Sequence, residues 1–196
     1  MAALPGPPRR HRATGSVRDG DGLPSAAVDA SGRVYVVWAD CRFRPKCSAN
    51  DLVLSTSANG TTWSRVTRVP IDPTTSGADH FIPGMGVSGS GKTARIGLYF
   101  YFLPKAKCKA ATCRLEVGYI SSVDGGRTWS TPTIIAGPIK LTQLANTNDG
   151  HMVGDYVACS ISGGRAFSLF AVGKPATAGR AFNEAMHTAG GLPMTG

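Results

Sequence analysis

An all-β array of repeated antiparallel sheets is the fold class that the sequence predicts, and three observations predict it. The segment Ser122-Val123-Asp124-Gly125-Gly126-Arg127-Thr128-Trp129 has an imperfect copy further up the chain, Thr56-Ser57-Ala58-Asn59-Gly60-Thr61-Thr62-Trp63. Three other segments, 21–40, 79–102 and 149–173, each begin with an acidic residue, enter an apolar run, turn at glycine and enter a second run. Helical periodicity is nearly absent, whereas 25 Gly and 13 Pro among 196 residues supply turns throughout. A period of roughly 40 to 70 residues built only of strands and Gly/Pro/Ser turns is how a propeller or solenoid reads.

The elements follow in order. In the first unit, about 20–72, residues 25–28 turn at Asp29-Ala30-Ser31-Gly32 into 34–38, and strands at 51–55 and 66–71 flank the first copy of the repeat. Alternating β-branched and apolar residues bounded by Gly, Asn and Ser are strand and hairpin signals. In the second unit, about 77–139, residues 82–87 turn at 88–92 into 94–102, and strands at 115–120 and 133–135 flank the second copy. An incomplete third unit runs from about 146 to the end, with 153–161 turning at Ser162-Gly163-Gly164 into 166–172. The stretch 181–188 reads equally as a strand or a short helix. Within each copy, Gly60 or Gly126 permits positive φ, Asn59 or Asp124 can bond nearby backbone amides, and Trp63 or Trp129 restarts the β pattern.

The pattern S-x-D-G-G-x-T-W resembles the Asp-box of sialidase-like β-propellers. The resemblance implies a turn between the third and fourth strands of a blade, away from the active face, with structural roles for Asp124, Gly126, Thr128 and Trp129 and for Gly60, Thr62 and Trp63. Aligned letter by letter, Ala58 stands opposite Asp124, so the first box reads as degenerate and less firmly held. The chain therefore reads as a partial sialidase-type propeller of about three four-stranded blades over 20–196, preceded by a basic, disordered arm over 1–19 that contains Arg9, Arg10, His11 and Arg12. Three blades are too few for a closed ring, since propellers use about four to eight. A fragment, a truncated product, or a homodimer completing a ring of six blades are the options this leaves open.

Two cysteine pairs close short loops between strands, Cys41 with Cys47 and Cys108 with Cys113, and as disulfides they place the mature protein outside the cytoplasm. One zinc held by all four thiolates is the alternative, against which the loop spacings count. Cys159 reads as a buried free thiol on an inner strand. No apolar stretch approaches the roughly 18 residues of a membrane span, and the first residues lack the apolar centre of a signal peptide.

Gly86 to Thr93 matches the phosphate-loop pattern G-x-x-x-x-G-K-[ST] letter for letter. That chemistry needs a helix beginning at the lysine, whose amide dipoles hold the phosphates. The aromatic run 94–102 that follows is a strand signal, so the reading is a hairpin turn and no nucleotide is expected. A net charge of +9 comes from scattered basic residues concentrated in the arm and in the two cysteine loops. It suits anionic glycans or cell surfaces rather than nucleic acid. No metal or cofactor is called for, and the lone Glu184/His187 spacing is incidental.

The resemblance directs attention to the residues that begin or end strands on one rim: Asp21, Asp40, Arg42, Asp79, His80, Asp155 and Tyr156. Sialidases use a tyrosine nucleophile with acidic partners and an arginine cluster that holds the substrate carboxylate. By that resemblance Asp79, Asp155 and Tyr156 are candidate catalytic residues and Asp40, Arg42 and His80 candidate substrate-binding residues. For each Asp the competing role is a turn or strand-end cap. The family's R-I-P signature is absent, and Glu116 is poorly placed to assist a tyrosine. The expected function is a sialidase-like, glycan-directed hydrolase or a truncated relative; the alternative is a non-catalytic propeller that binds glycans or proteins.

Overall fold

The computed structural model describes residues 17, 18 and 22–196; Asp21 and the basic residues 9–12 lie outside them. Among the described residues the chain is all-β, with no α-helix and only short 3-10 turns such as Pro45–Cys47 and Gly91–Thr93. The first sheet is β1 (Ser25–Val28), β2 (Val34–Asp40), β3 (Asp51–Ser57) and β4 (Thr67–Arg68), paired antiparallel in chain order. The second is β5 (Asp79–Ser88), β6 (Arg95–Leu103), β7 (Arg114–Ser122) and β8 (Thr133–Lys140), paired likewise. A separate hairpin of β9 (Ala145–Thr147) and β10 (Gly150–Met152) precedes the third sheet. There β11 (Ala158–Ser162) and β12 (Arg165–Lys174) pair along their length, and β13 (Asn183–His187) and β14 (Leu192–Pro193) pair with different parts of β12.

Several expectations shift. The stretch left undecided at 181–188 contains strand β13, while residues 153–157, expected in a strand, precede β11. The strand expected over 66–71 shrinks to Thr67–Arg68, because Pro70 has no N–H to continue the ladder. Strand β5 starts earlier than expected, at Asp79, and its register with β6 shifts between Phe81 and Gly84. Pro83 explains this bulge, and Ile82 within it has φ +47, rare for a β-branched residue.

The second sheet lies between the other two, and its sequence reflects it. From Ile96 to Tyr101 every β6 residue is buried, the continuous apolar run of a strand covered on both faces. On β12 burial alternates instead, with Phe167 and Leu169 exposed and Ala166, Ser168 and Phe170 buried, so one face of the third sheet is open. Tyrosine hydroxyls tie the layers: Tyr99 and Tyr101 donate to the carbonyls of Ala166 and Ala171 at 3.1 and 2.8 Å. Each buried large side chain contributes about 1.5 to 3 kcal/mol relative to exposure.

The inner strands β1, β5 and β11 run in the same direction. Ser25 Oγ accepts from the Met85 amide, and at the far ends of these strands the Ala30 amide donates to Gly89 O. Val157 and Cys159 follow β5 in the same sense, lying over Gly84 and Gly86. The starts of β1, β5 and β11 therefore share one rim, and the turns of the two repeat copies occupy the other end. Val17 and Arg18, at the end of the expected 1–19 arm, dock by a parallel bridge between Val17 and His151.

Both box turns join a third strand to a fourth. In the second, Asp124 Oδ1 and Oδ2 accept from the amides of Arg127 and Thr128 and from Thr128 Oγ1, which holds the carboxyl well below the usual range. Ser122 Oγ accepts from the Gly126 amide, and Trp129 Nε1 donates to Gly126 O. The first box corrects the letter-by-letter alignment. Ser57 Oγ accepts from Gly60 and Asn59 Oδ1 from Thr61 and Thr62, so Asn59, not Ala58, stands where Asp124 does and one glycine is missing. Asn59→Asp should therefore raise the melting temperature, because a charged acceptor strengthens two amide bonds already aligned. A calorimetric scan showing a lower melting temperature would contradict it.

Cys41–Cys47 and Cys108–Cys113 are disulfide-bonded, which removes the four-thiolate zinc alternative and is compatible with an extracellular location. Cys159 is half-buried rather than buried, and desolvation pushes its thiol up to about 12. Residues 86–93 form the end of β5 and a single 3-10 turn into β6, not an α-helix beginning at Lys92, and the Gly91 amide is directed to Asp29 Oδ2. Asp29 itself is buried, which alone would raise its carboxyl; donors from Ser31, Arg33 and Gly91 outweigh this and hold it at about 2.

Candidate functional site

The rim at the start of β5 gathers the charged side chains. The Cys41–Cys47 disulfide tightens the connection from β2 to β3, and within it the Arg44 amide bonds Cys41 O. This tight loop sends the Arg44 side chain inward, where it is fully buried. Its guanidinium donates to Asp51 Oδ1 at 2.9 Å and to Asp72 Oδ1 at 2.6 Å. It also donates to the carbonyls of Pro73 and Ser76 at 3.1 and 2.9 Å. Arg68 reaches the same two carboxylates, at 2.7 Å each, and Ser76 Oγ donates to Asp72 Oδ2. Two guanidinium groups thus answer two carboxylates; Arg44, Arg68 and Asp72 fix the strap between β4 and β5, and Asp51 on β3 answers both guanidinium groups. Asp51, Asp72 and His80 offer ligand atoms within 4.8 Å of one another, a spacing a metal ion could use. Arg44 and Arg68 already hold the cation positions beside those carboxylates.

Sequence reasoning missed Arg44, Asp51, Arg68 and Asp72. The available signal was weak: a basic residue inside each cysteine loop and acids at strand ends, with no indication of which would meet.

Asp40 and Arg42 do come together, but with each other. Asp40 is buried, accepts from the Arg42 amide at 2.8 Å and its guanidinium at 2.7 Å, and also from Trp38 Nε1 at 3.2 Å. The Arg42 guanidinium lies 6.0 Å from the Trp38 ring. Asp79 is buried too and accepts from the Asn50 amide at 2.7 Å, stitching the start of β5 to the start of β3. These are the strand-end roles that competed with catalysis.

His80 is buried between Phe102, stacked at 5.7 Å, and Phe100, edge-on at 5.7 Å. Burial drives its pKa below the ordinary 6.5, outweighing the pull of Asp72 and Asp51 and aided by Arg44. The unfolded chain takes up this proton near pH 6.5 and the folded chain only at lower pH. Stability from this group is therefore complete above 6.5 and declines as pH falls toward the folded value. The urea midpoint should be lower at pH 5.5 than at pH 7.5, with the difference reduced in His80→Gln. An unchanged difference would assign the effect to other groups.

Asp155 and Tyr156 stand apart from this network. Asp155 pairs with Arg18 at 2.9 Å. Tyr156 is 72% exposed, and its hydroxyl makes no hydrogen bond among the described residues. The alternation of exposed and covered residues on β11 extends back to it, which sets Tyr156 on the open face of the third sheet. The two glutamates line different cavities, Glu116 one of about 350 Å³ beside the Cys108–Cys113 loop and Glu184 one of about 290 Å³ beside Met186. Burial raises both carboxyls.

Between the two disulfide loops lies an open groove of about 410 Å³, lined by Lys105, Lys107, Ser48, Thr75 and Ser76 together with backbone of Gly77 and Ala106. No carboxylate lines it.

No known family profile matches the chain, and no curated protein matches it in sequence. Among solved structures, a xylan β-1,4-xylosidase from Bacillus halodurans aligns over 89% of this chain and 29% of its own, at 10% identity and a TM-score of 0.48. A family 117 glycoside hydrolase from Zobellia galactanivorans aligns over 92% of this chain and 56% of its own, at 17% identity and a TM-score of 0.41. A family 25 polysaccharide lyase, an ulvan lyase, aligns over 85% of this chain and 40% of its own, at 12% identity and a TM-score of 0.43. The chain spans less than two thirds of the length of each, and likenesses this distant carry no weight for its activity.

Proposed function

We propose that the protein is a glycan-directed segment of a sialidase-type propeller, its three sheets standing as blades, and that its disulfide-bearing rim holds an anionic saccharide. The observation that carries this reading is the groove of about 410 Å³ whose charged side chains are Lys105 and Lys107. Ammonium groups beside the hydroxyls of Ser48 and Thr75 are the donor set for a sugar carboxylate or sulfate and its neighbouring hydroxyls. Lysines take that role because the rim arginines are committed elsewhere: Arg42 to Asp40, Arg44 and Arg68 to Asp51 and Asp72.

Hydrolysis is the second reading, and the exposed hydroxyl of Tyr156, which makes no hydrogen bond among the described residues and neighbours Asp155 in the chain, favours it. In that case Tyr156, Asp155 and Asp79 carry the chemistry, and Asp40, Arg42 and His80 support the substrate. Two copies could also complete a ring, since the open face of the third sheet exposes Phe167, Leu169 and Met186; sedimentation at micromolar concentration reads this directly.

The deciding experiment pairs a glycan array with fluorogenic sialosides. Saturable retention on sialylated or sulfated glycans is expected, weakening with salt, with no sugar released. Lys105→Glu combined with Lys107→Glu should abolish retention without moving the urea midpoint, since both are surface changes. Retention that survives this double change would remove the groove from the reading. Turnover that Tyr156→Phe abolishes while retention persists would instead establish the hydrolytic reading.

A further inference from the structure

Another cavity, apart from the groove and from those beside the two glutamates, lies on the seam between the first and second sheets. It measures about 240 Å³, and its walls are apolar: Phe100, Phe102, Ile71, Pro132 and Ile134. Gly118 makes room for one wall, because a Cβ there would sit 2.5 Å from Phe100 Cε2 and Cζ, so the ring lies directly on the β7 backbone. Its polar side chains are those of His80, Asp72 and Thr133.

His80 decides what this space can hold. It is 1% exposed, and its Nδ1 is 3.1 Å from Asn50 O. A carbonyl only accepts, so Nδ1 carries the proton and the neutral ring presents Nε2 as an acceptor. Among the described residues Nε2 makes no hydrogen bond. The nearest charged atom is Asp72 Oδ2 at 4.0 Å, itself an acceptor for Ser76 Oγ. Two acceptors cannot satisfy each other, so Nε2 is left to accept from a donor that enters the cavity. The surrounding charge is balanced, with Arg44 and Arg68 facing Asp51 and Asp72, which gives no net attraction for a cation or an anion. The volume lies below the roughly 300 Å³ at which ligand pockets for drug-sized molecules begin.

We propose that this cavity binds a small neutral ligand whose apolar body packs against Phe100, Phe102 and Ile134 and whose single O–H or N–H donates to His80 Nε2. Affinity comes from burying an apolar ring in a preformed apolar space, and selectivity from the one acceptor, since a molecule of the same shape without a donor leaves Nε2 unanswered. The site is independent of the lysine groove, and its test does not use glycans.

Phenol is the probe, and benzene is the control of similar shape without the donor. Imidazole-tuned ¹H–¹⁵N spectra of the full chain at pH 7.5 should show the His80 Nε2 resonance moving toward that of a hydrogen-bonded acceptor as phenol saturates at millimolar concentration. Benzene should bind about tenfold more weakly, as one net hydrogen bond implies, and should leave Nε2 in place. Ile134 is 62% exposed at the wall, so Ile134→Trp blocks the cavity without disturbing the fold, and phenol saturation should be lost in it. Equal affinity for phenol and benzene would overturn the proposal. So would a stationary His80 resonance already at the hydrogen-bonded position, the signature of a bridging water, or phenol binding that persists in Ile134→Trp.

Discussion

Arg44→Ala is expected to lower the unfolding free energy by about 3 to 5 kcal/mol, the cost of removing one partner from a buried ion network. The side chain is fully buried and donates to two carboxylates and two carbonyls. Its removal leaves Asp51 and Asp72 to Arg68 alone and frees the carbonyls of Pro73 and Ser76 in a space that water does not readily reach. Arg44→Lys should recover only part of the loss, because a single ammonium cannot span the carboxylates and carbonyls that the planar fork meets together. Urea unfolding measures both variants. A loss under about 1 kcal/mol for the alanine variant would mean the network behaves as a solvated surface pair.

Gly84→Ala is expected to cost about 3 kcal/mol, at the upper end for overpacking. A Cβ at Gly84 would stand 2.0 Å from Val157 O and 2.6 Å from Val157 C. Those atoms are backbone at the entry to β11, so no rotamer change relieves the contact, and either β5 or β11 must move away from the other. Gly190→Ala is the matched control, since nothing lies within 4 Å of its Cβ, and it should change stability by less than about 0.5 kcal/mol. Calorimetry that found the two variants alike would refute the close approach of these inner strands.

The strands and turns were legible because their determinants are local. Gly60, Gly126 and Asp124 announce turns wherever they occur, and the aromatic run of β6 reads as a strand covered on both faces. Asn59 was legible as an acceptor for nearby amides but was aligned one position away from Asp124, because one glycine is deleted in its turn. The rim was legible as a region but not as a set of partners. Asp40 meets Arg42 two residues away, whereas Arg44 meets Asp72 through a disulfide-closed loop and a strap whose path no residue pattern encodes. The stacking of the second and third sheets was equally hidden, since it is set by glycines such as Gly84 whose importance is invisible until a neighbour's backbone is seen beside them. The likeness to sialidases pointed to Asp79 and Tyr156 with equal force, yet one is folded into a strand end and the other stands on an open face.

The glycine contacts between inner strands also bear on how readily the rim can be remodelled. Because β5 meets β11 backbone to backbone at Gly84 and Gly86, the spacing of these strands does not depend on the size of any side chain carried by the rim. The segments between the two cysteines of each loop can then be exchanged in sequence and length while their anchoring points stay where the backbone puts them. A library randomised at residues 45, 46 and 109–112, with Phe43, Arg44 and the cysteines kept, would present varied recognition surfaces on an unchanged frame.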